Sequence, residues 1–186
     1  MGIGALKAVF LDRDGVINRA LVREGKPYPP ATPAELEILP GTGDALARLK
    51  ELGYLLIVVT NQPDVARGKQ SREAVQEIHE ILGRQLPVDR FLACYHDDAD
   101  GCSCRKPKPG LLLKAAREHG IDLGQSFLIG DRWRDIDAGL AAGCRTVWID
   151  YGYCERGPTV PPDQRVFSLA EAVEWISFAL ASGDSD

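Results

Sequence analysis

Two carboxylates stand one residue apart at the end of an apolar run, in the stretch VFLDRDGVIN (residues 9–18). If both were ionised at close range, Asp12 and Asp14 would repel each other, so the pair needs a nearby positive charge. Their hard carboxylate oxygens suit a divalent cation such as Mg²⁺. The bare pattern is a weak signal, because Asp is also common in turns that end strands.

A second acidic stretch, IGDRWRDIDAG (residues 129–139), begins at the end of another apolar run. Taken alone, Asp131 would be interpreted as the N-cap of a helix. If the strands that precede Asp12 and Asp131 are neighbours, the two carboxylates converge, and their repulsion requires a cation. Mg²⁺ fits such a site, since it usually binds through one or two carboxylates together with a phosphate.

A cysteine-rich loop, CYHDDADGCSCRKPKPG (residues 94–110), offers a second set of metal ligands. Its soft donors are Cys94, His96, Cys102 and Cys104. A Cys₃His set predicts tetrahedral Zn²⁺, and four protein ligands leave no open position, so this zinc is expected to be structural. The alternatives are three ordinary buried thiols beside a surface imidazole, or a nucleophilic cysteine, which nothing in the stretch marks as activated.

Two basic residues, Arg105 and Lys106, follow the last of these ligands directly. A loop pinned by zinc would fix the place where their two charges meet an anionic substrate. Three acids between the ligands, Asp97, Asp98 and Asp100, are expected to be solvated loop charges.

The elements that must position these residues follow from alternating patterns along the chain. The predicted strands are residues 8–12, 54–61, 90–96, 126–131 and 145–150, and the predicted helices are residues 41–53, 71–86, 110–120, 135–143 and 168–182. This alternation, with short connections, predicts an α/β fold: a three-layer, doubly wound parallel sheet with helices on both sides. Ligand sites in such sheets lie at the carboxyl ends of the strands, where Asp12, Thr60, His96 and Asp131 are expected. Residues 19–40, which include Pro27, Pro29, Pro30 and Pro33, are predicted to form a long loop over the same edge.

Length, composition and charge limit the remaining possibilities. The 186 residues suit a single domain, and no separate segment is large enough to form a lid. The net charge of −5 argues against a nucleic-acid or acidic-membrane partner, which needs a basic face, but not against a small anionic substrate. No stretch approaches the roughly 20 apolar residues of a membrane span. We expect a cytoplasmic monomer without a signal peptide, and a disordered tail at about residues 182–186.

Four stretches, taken together and in this order, resemble the motifs of the haloacid-dehalogenase (HAD)-like phosphohydrolases. They are DRDGVIN (residues 12–18), TNQ (residues 60–62), RKPKPG (residues 105–110) and GDRWRDIDAG (residues 130–139). The resemblance runs from about Leu6 to Asp150. It implies a Rossmann-like HAD fold and a Mg²⁺-dependent phosphatase activity.

The resemblance also implies individual roles. Asp12 would be the nucleophile that forms an aspartyl-phosphate, and Asp14 the general acid that later activates water as a base. Asp12, the main-chain carbonyl of Asp14, and Asp131 would bind Mg²⁺, with Asp135 as a supporting acid.

Phosphoryl transfer also requires partners for the oxygens that the metal does not reach. The Thr60 hydroxyl, the backbone N–H of Asn61 and the Lys106 ammonium are the candidates. Alone, Thr60 would be interpreted as a helix cap or turn residue and Lys106 as a solvated charge. Together with the other motif residues, both become candidates for binding the phosphoryl group. Arg13 is expected to point away from the site in a structural role, because side chains alternate along a strand.

The zinc loop narrows the resemblance to a capless, zinc-containing branch, the D-glycero-D-manno-heptose 1,7-bisphosphate 7-phosphatases and the related histidinol-phosphate phosphatases. The stretch TNQPDVARG (residues 60–68) departs from the usual Ser-Gly of the heptose branch at Pro63 and Asp64. Arg67 and Arg105 are candidate contacts for a second phosphate or other polar part of the substrate, whereas the Asp64 carboxylate disfavours a phosphate on its side.

Several functions stay open at this point. The preferred one is removal of the C7 phosphate from a heptose 1,7-bisphosphate, and the alternative is hydrolysis of histidinol phosphate or another small sugar phosphate. A phosphoacceptor signalling module also uses an aspartate and Mg²⁺ on a parallel sheet. Asp14 argues against that module, because an acid–base group beside the nucleophile favours rapid turnover. A zinc-based nucleic-acid binder is disfavoured by the acidic net charge.

Overall fold

Strands and helices alternate along residues 5–181, the part of the chain that the computed structural model describes. The strands are β1 (Ala8–Leu11), β2 (Leu21–Arg23), β3 (Lys26–Tyr28), β4 (Leu55–Asn61), β5 (Arg90–Cys94), β6 (Phe127–Gly130), β7 (Arg145–Ile149) and β8 (Gln164–Val166). The helices are α1 (Thr42–Glu51), α2 (Arg72–Gln85), α3 (Gly110–His119), α4 (Trp133–Ala142) and α5 (Leu169–Ala181). Among these helices, none combines the length and apolar character needed to cross a membrane.

A six-stranded parallel sheet has the order β5-β4-β1-β6-β7-β8. The chain winds from β1 outward through β4 and β5, then returns to β6 on the other side of β1. The boundary between β1 and β6 is therefore a topological switch point, the position at which open α/β sheets bind ligands. Leu11 of β1 pairs with Ile129 of β6, so Asp12, which follows β1, and Asp131, which follows β6, leave the sheet side by side.

The apolar residues of β1 divide between the two faces of the sheet. Val9 and Leu11 join the core under α1, α2 and α5, and Ala8 and Phe10 join the core under α3 and α4. All four are fully buried, as the alternation of side chains in a central strand requires. The predicted three-layer α/β architecture is confirmed.

Three details differ from the prediction. Residues 19–40 contain the antiparallel hairpin β2–β3 and a short 3₁₀ turn, and β8 extends the sheet. Each of these strands has three residues, too few to show a period in the sequence. Helix α4 begins at Trp133 instead of 135. The single-domain organisation of residues 1–186 stays a prediction, and residues 182–186, predicted to be disordered, lie outside the described residues.

Candidate active site and metal centres

A cluster of three buried carboxylates occupies the switch point. Asp12 follows β1, Asp131 follows β6, and Asp135 comes from the first turn of α4; their oxygen atoms lie within 4.8 Å of one another. Burial raises the pKa of Asp12 to about 6, with Lys106 opposing the rise and neighbouring carboxylates adding to it. Burial, together with the charges of Asp12 and Asp135, raises the pKa of Asp131 well above its usual range. The cluster is therefore short of positive charge.

The side chain of Lys106 supplies part of that charge. Its Nζ lies 2.8 Å from Oδ1 of Asp12, 2.6 Å from Oδ1 of Asp135 and 2.6 Å from the carbonyl oxygen of Val59. Burial opposes the ammonium, but the two carboxylates outweigh it and hold the pKa of Lys106 above its ordinary range. Three carboxylates against one ammonium leave two negative charges, which one divalent cation balances.

The cluster fits Mg²⁺ by its donors as well as by its charge. Oδ1 of Asp131 is buried and has no hydrogen-bond partner within residues 5–181, while Oδ2 accepts a hydrogen bond from the Tyr153 hydroxyl at 3.0 Å. An unpartnered buried carboxylate oxygen costs free energy that a bound hard cation removes.

Gly15 leaves the room that Asp131 occupies. Its φ is +92°, and a Cβ built on it would lie 1.9 Å from Oδ2 of Asp131. A side chain at position 15 is therefore excluded both by the backbone conformation and by the neighbouring carboxylate. In the sequence, the Asp14-Gly15 dipeptide indicates only a turn. It does not show that Asp131 lies beside Gly15 in the fold.

The carboxylate of Asp14 lies outside the cluster and is bound by three side chains. Arg13 donates from Nε to Oδ1 and from Nη2 to Oδ2, both at 3.1 Å. Asn18 donates to Oδ1 at 3.0 Å and Gln62 to Oδ2 at 2.9 Å. The expectation that Arg13 points away from the site is wrong, because the guanidinium binds the predicted acid–base residue. The main-chain carbonyl of Asp14 as a magnesium ligand stays a prediction.

Residues 60–62 make hydrogen bonds both to Asp14 and to the backbone of Lys106. The Thr60 hydroxyl oxygen accepts a hydrogen bond from Nε2 of Gln62 at 2.8 Å, which leaves the hydroxyl proton to donate. Asn61 brackets the backbone of Lys106: Nδ2 donates to its carbonyl at 3.0 Å and Oδ1 accepts from its N–H at 3.1 Å. Asn61 thereby positions Lys106, and Gln62, which the sequence analysis assigned no role, joins Thr60 to Asp14.

The cysteine-rich loop brings its four predicted ligands together. The ligand atoms of Cys94, His96, Cys102 and Cys104 lie within 4.8 Å of one another. Sγ of Cys104 is 3.0 Å from Sγ of Cys94 and 3.3 Å from Nδ1 of His96. Three thiols and one imidazole in this arrangement fit a tetrahedral Zn²⁺ ion with no position left for substrate.

Two acids of that loop, Asp97 and Asp98, bind arginines; their side chains stay 29% and 56% exposed, so the prediction of solvated loop charges is right about exposure but leaves out these ion pairs. Asp97 accepts from Nε and Nη2 of Arg67, each at 2.7 Å, and these bonds lower the pKa of Asp97 to about 2. Asp64 lies 3.4 Å from the same guanidinium. Asp100 accepts from the Asp97 backbone N–H at 2.7 Å and closes the 3₁₀ turn.

Asp98 joins two further arginines. It accepts from Nε of Arg105 at 2.8 Å and from Nη1 and Nη2 of Arg134 at 3.1 and 3.2 Å. Nη1 of Arg105 is buried, without a hydrogen-bond partner among the described residues. The cysteine-rich loop thus fixes Arg67, Arg105 and Arg134 through two adjacent carboxylates, Asp97 and Asp98.

These groups line an open cleft over the carboxyl edge of the sheet, bounded on one side by the β2–β3 hairpin. The basic side chains that line it are Lys26, Arg67, Arg105, Lys106, Arg132 and Arg134, and the acidic ones are Asp12, Asp14, Asp64, Asp98, Asp135 and Glu155. Because six charges of each sign face the cleft, a bound divalent cation would make its lining net positive. The cleft then suits an anionic ligand.

This fold and site define a HAD-like hydrolase, and the family model described as HAD-hydrolase-like matches residues 103–172. A D-glycero-beta-D-manno-heptose-1,7-bisphosphate 7-phosphatase from Helicobacter pylori (strain 26695) is 42% identical over 144 residues, 73% of this chain and 79% of that protein. An enzyme of the same name from Bordetella bronchiseptica is 37% identical over 155 residues, 79% of this chain and 82% of that protein. The chain belongs to the D-glycero-beta-D-manno-heptose-1,7-bisphosphate 7-phosphatase family.

Solved structures agree with this assignment. The D,D-heptose 1,7-bisphosphate phosphatase of B. bronchiseptica, complexed with magnesium and phosphate, superposes with a TM-score of 0.80 at 31% identity and covers 93% of this chain and 99% of its own. The corresponding enzyme from Burkholderia thailandensis has a TM-score of 0.63 at 26% identity and covers 92% and 99%.

Proposed function

We propose that this chain is a Mg²⁺-dependent phosphatase that removes the C7 phosphate from D-glycero-beta-D-manno-heptose 1,7-bisphosphate through an aspartyl-phosphate. The observation that carries the proposal is the buried cluster of Asp12, Asp131 and Asp135, which Lys106 balances in part and whose remaining charge a divalent cation would balance. The substrate, including the beta anomer, comes from the names of the relatives.

In the first step Asp12 attacks the C7 phosphorus. An oxygen–phosphorus bond forms at Asp12 while the bond from phosphorus to the C7 oxygen breaks, and Asp14 gives its proton to the departing oxygen. In the second step water attacks the same phosphorus, Asp14 takes a proton from that water, and phosphate leaves Asp12. Asp14 returns to its protonated form, so the proton that it gives in the first step is regained in the second.

The phosphoryl group that passes through these steps is held from two sides. Asp12, the Asp14 carbonyl and Asp131 would hold Mg²⁺, which would supply positive charge to phosphoryl oxygens on one side. Lys106, the Thr60 hydroxyl and the Asn61 N–H serve the remaining ones as positioned donors.

A second anionic group of the substrate has its own partners in the cleft. Arg105, whose buried Nη1 is unpartnered within residues 5–181, is the first, and Arg67 is the second. Both are fixed by the loop that we propose to be folded around a structural Zn²⁺ ion, bound by Cys94, His96, Cys102 and Cys104. The predicted cytoplasmic location and monomeric state stay predictions.

A steady-state comparison tests the proposal. Phosphate release is measured with Mg²⁺ and the beta heptose bisphosphate, its alpha anomer or histidinol phosphate. We expect the highest kcat/KM for the beta anomer and loss of turnover in Asp12→Asn. Faster turnover of histidinol phosphate would overturn the substrate assignment. Equal rates in wild type and Asp12→Asn would overturn the proposal that this chain is a phosphatase that uses Asp12.

A stable phosphoaspartate without phosphate release would instead favour the signalling module.

A further inference from the structure

A histidine outside the motifs of the active site lies next to Arg13. His79 belongs to α2, and its Nε2 is 3.2 Å from Nη1 of Arg13. The Arg13 side chain has no exposed surface. A guanidinium removed from water is costly unless all its sides find partners, so each contact of Arg13 constrains where it lies.

The direction of the bond between His79 and Arg13 follows from chemistry. A guanidinium carries donors only and keeps its proton, so Nε2 of His79 must accept and the ring proton sits on Nδ1. Burial, with the charge of Arg13, lowers the pKa of His79 to about 4, which keeps the imidazole neutral near pH 7. The ring stacks on Phe91 with centroids 4.9 Å apart and planes 17° apart, so its orientation is fixed.

Arg13 therefore joins a rigid ring to a reacting carboxylate. On one side Nη1 donates to His79, and on the other Nε and Nη2 donate to the two oxygens of Asp14. The guanidinium is planar, so two parallel bonds to a carboxylate fix that group's plane as well as its position.

We propose that Arg13 and His79 are positioning residues for the acid–base step: His79 orients the Arg13 guanidinium, and Arg13 holds Asp14 in line with the leaving oxygen and the attacking water. This rests on the proposed phosphatase function. Neither Arg13 nor His79 lines the cleft: Arg13 acts through the Asp14 carboxyl group that it binds, and His79 acts through Arg13. The cost of misplacing Asp14 therefore falls on proton transfer and leaves substrate binding unchanged.

The identity of the leaving group separates positioning of an acid from a general structural role. An alkyl oxygen must be protonated as it leaves, whereas p-nitrophenolate leaves without a proton. The experiment measures how fast the leaving group, the sugar alcohol or p-nitrophenolate, is released in the first turnover. Enzyme is in excess and Mg²⁺ is present, and the substrates are the heptose bisphosphate and p-nitrophenyl phosphate. This measurement isolates formation of the aspartyl-phosphate from its hydrolysis.

Three variants make the comparison. His79→Phe keeps a ring to stack on Phe91 and removes the acceptor; His79→Gln restores an acceptor oxygen; His119→Phe makes the same change at the end of α3 as a control. In His79→Phe we expect a first-turnover rate about 10-fold lower for the sugar phosphate, because misaligned proton transfer forfeits part of its usual 10²–10⁴-fold contribution. The rate for the aryl phosphate and the KM for the sugar phosphate should stay within about twofold of wild type, and His79→Gln should recover most of the loss.

Opposite outcomes overturn the inference. Equal losses on both esters in His79→Phe, or no loss on either, would show that His79 does not act through proton transfer. If His79→Phe does not fold, Arg13→Lys provides the same comparison, because lysine keeps the charge and loses the planar fork. A wild-type enzyme inactive on both esters refutes the proposed function itself, a result distinct from an active enzyme whose variants do not discriminate.

Discussion

The ammonium of Lys106 lies 2.8 Å from Oδ1 of Asp12, although 94 positions separate the two residues in the chain. The side chains of Lys106 and Asp12 are 2% and 10% exposed, so water screens their interaction little. The lysine lies in the cysteine-rich loop, two residues after Cys104, and the aspartate follows the central strand. The conformation of that loop therefore sets where the Lys106 ammonium lies beside the predicted nucleophile, Asp12.

Replacing this lysine should remove a donor to the phosphoryl group and a counter-charge to the carboxylates. In Lys106→Met we expect kcat to fall by at least about 100-fold, the usual effect of losing one preorganised donor to a reacting oxyanion. Steady-state phosphate release measures it. Lys114→Met on α3 is the control, since Lys114 is exposed and pairs only loosely with Glu118 at 3.9 Å. A kcat for Lys106→Met within threefold of wild type would contradict this role.

The close approach of Gly15 to Asp131 predicts a selective loss of magnesium. A methyl group in Gly15→Ala would meet Oδ2 of Asp131, so the carboxylate must move and Mg²⁺ affinity should fall at least about 10-fold, or ~1.4 kcal/mol. Titration calorimetry with Mg²⁺ measures it. Gly41→Ala is a matched control: its φ is +77°, and a Cβ there has no neighbour within 4 Å among the described residues. Equal Mg²⁺ affinity in the two variants would count against Asp131 as a ligand.

Disrupting the proposed zinc site should weaken substrate binding more than chemistry. In Cys102→Ser we expect less than one zinc ion per chain and an increase in KM larger than the decrease in kcat, because Asp97 and Asp98 lie between the ligands and hold arginines of the cleft. Elemental analysis and steady-state kinetics measure the two effects. Cys154→Ser, an exposed thiol outside the loop, is the control. Unchanged zinc content in Cys102→Ser would show that the loop is not a zinc site.

His79 should make folding stability depend on pH. Burial and Arg13 lower its folded-state pKa to about 4 from 6.5, so the unfolded chain binds the proton more tightly. Its contribution is fully present above pH 6.5 and is lost as the pH falls toward 4. Between pH 7 and 5.5 the wild type should lose about 1 kcal/mol of unfolding free energy that His79→Gln does not lose.

Urea unfolding at both pH values measures this difference. Glu80 and Arg84, which line the same surface hollow as His79, are present in both proteins and cancel in the comparison. Parallel pH profiles for wild type and His79→Gln would show that the imidazole is not held neutral.

Asp64 is expected to compete with the substrate for Arg67. Its carboxylate lies 3.4 Å from the guanidinium and lines the cleft, so Asp64→Asn should lower the KM for the bisphosphate by up to about fivefold, the range of an exposed ion pair. The KM for a C7 monophosphate should not change. Asp44→Asn on α1 is the control for the general loss of one negative charge. A higher KM for the bisphosphate in Asp64→Asn would mean that Asp64 helps to bind the substrate.

The central part of the site could be predicted because it follows directly from buried strands. Uninterrupted apolar runs predict β1 and β6, and the doubly wound topology brings the residues that follow them, Asp12 and Asp131, to one edge. The convergence of Cys94, His96, Cys102 and Cys104 could be predicted for another reason, since their types and spacing are typical of a zinc site whatever the fold.

The partners of the loop acids could not be predicted in this way. Asp97 binds Arg67 from 30 positions away and Asp98 binds Arg134 from 36, and no local pattern connects them. Arg13 was misplaced because the alternation of side chains was extended beyond Leu11, where β1 ends. After that point the chain turns, and the direction of a side chain depends on the turn.

The residues that line the cleft differ from those that form the hydrophobic core. Within the described part of the chain, Lys26, Tyr28, Asp64, Arg67 and Arg134 line the cleft, and none of them belongs to either hydrophobic cluster. Each comes from the β2–β3 hairpin, a connection or the first turn of a helix, outside the six-stranded sheet. Preference among phosphate esters can therefore diverge through changes in these short segments while the framework that folds the enzyme is left untouched.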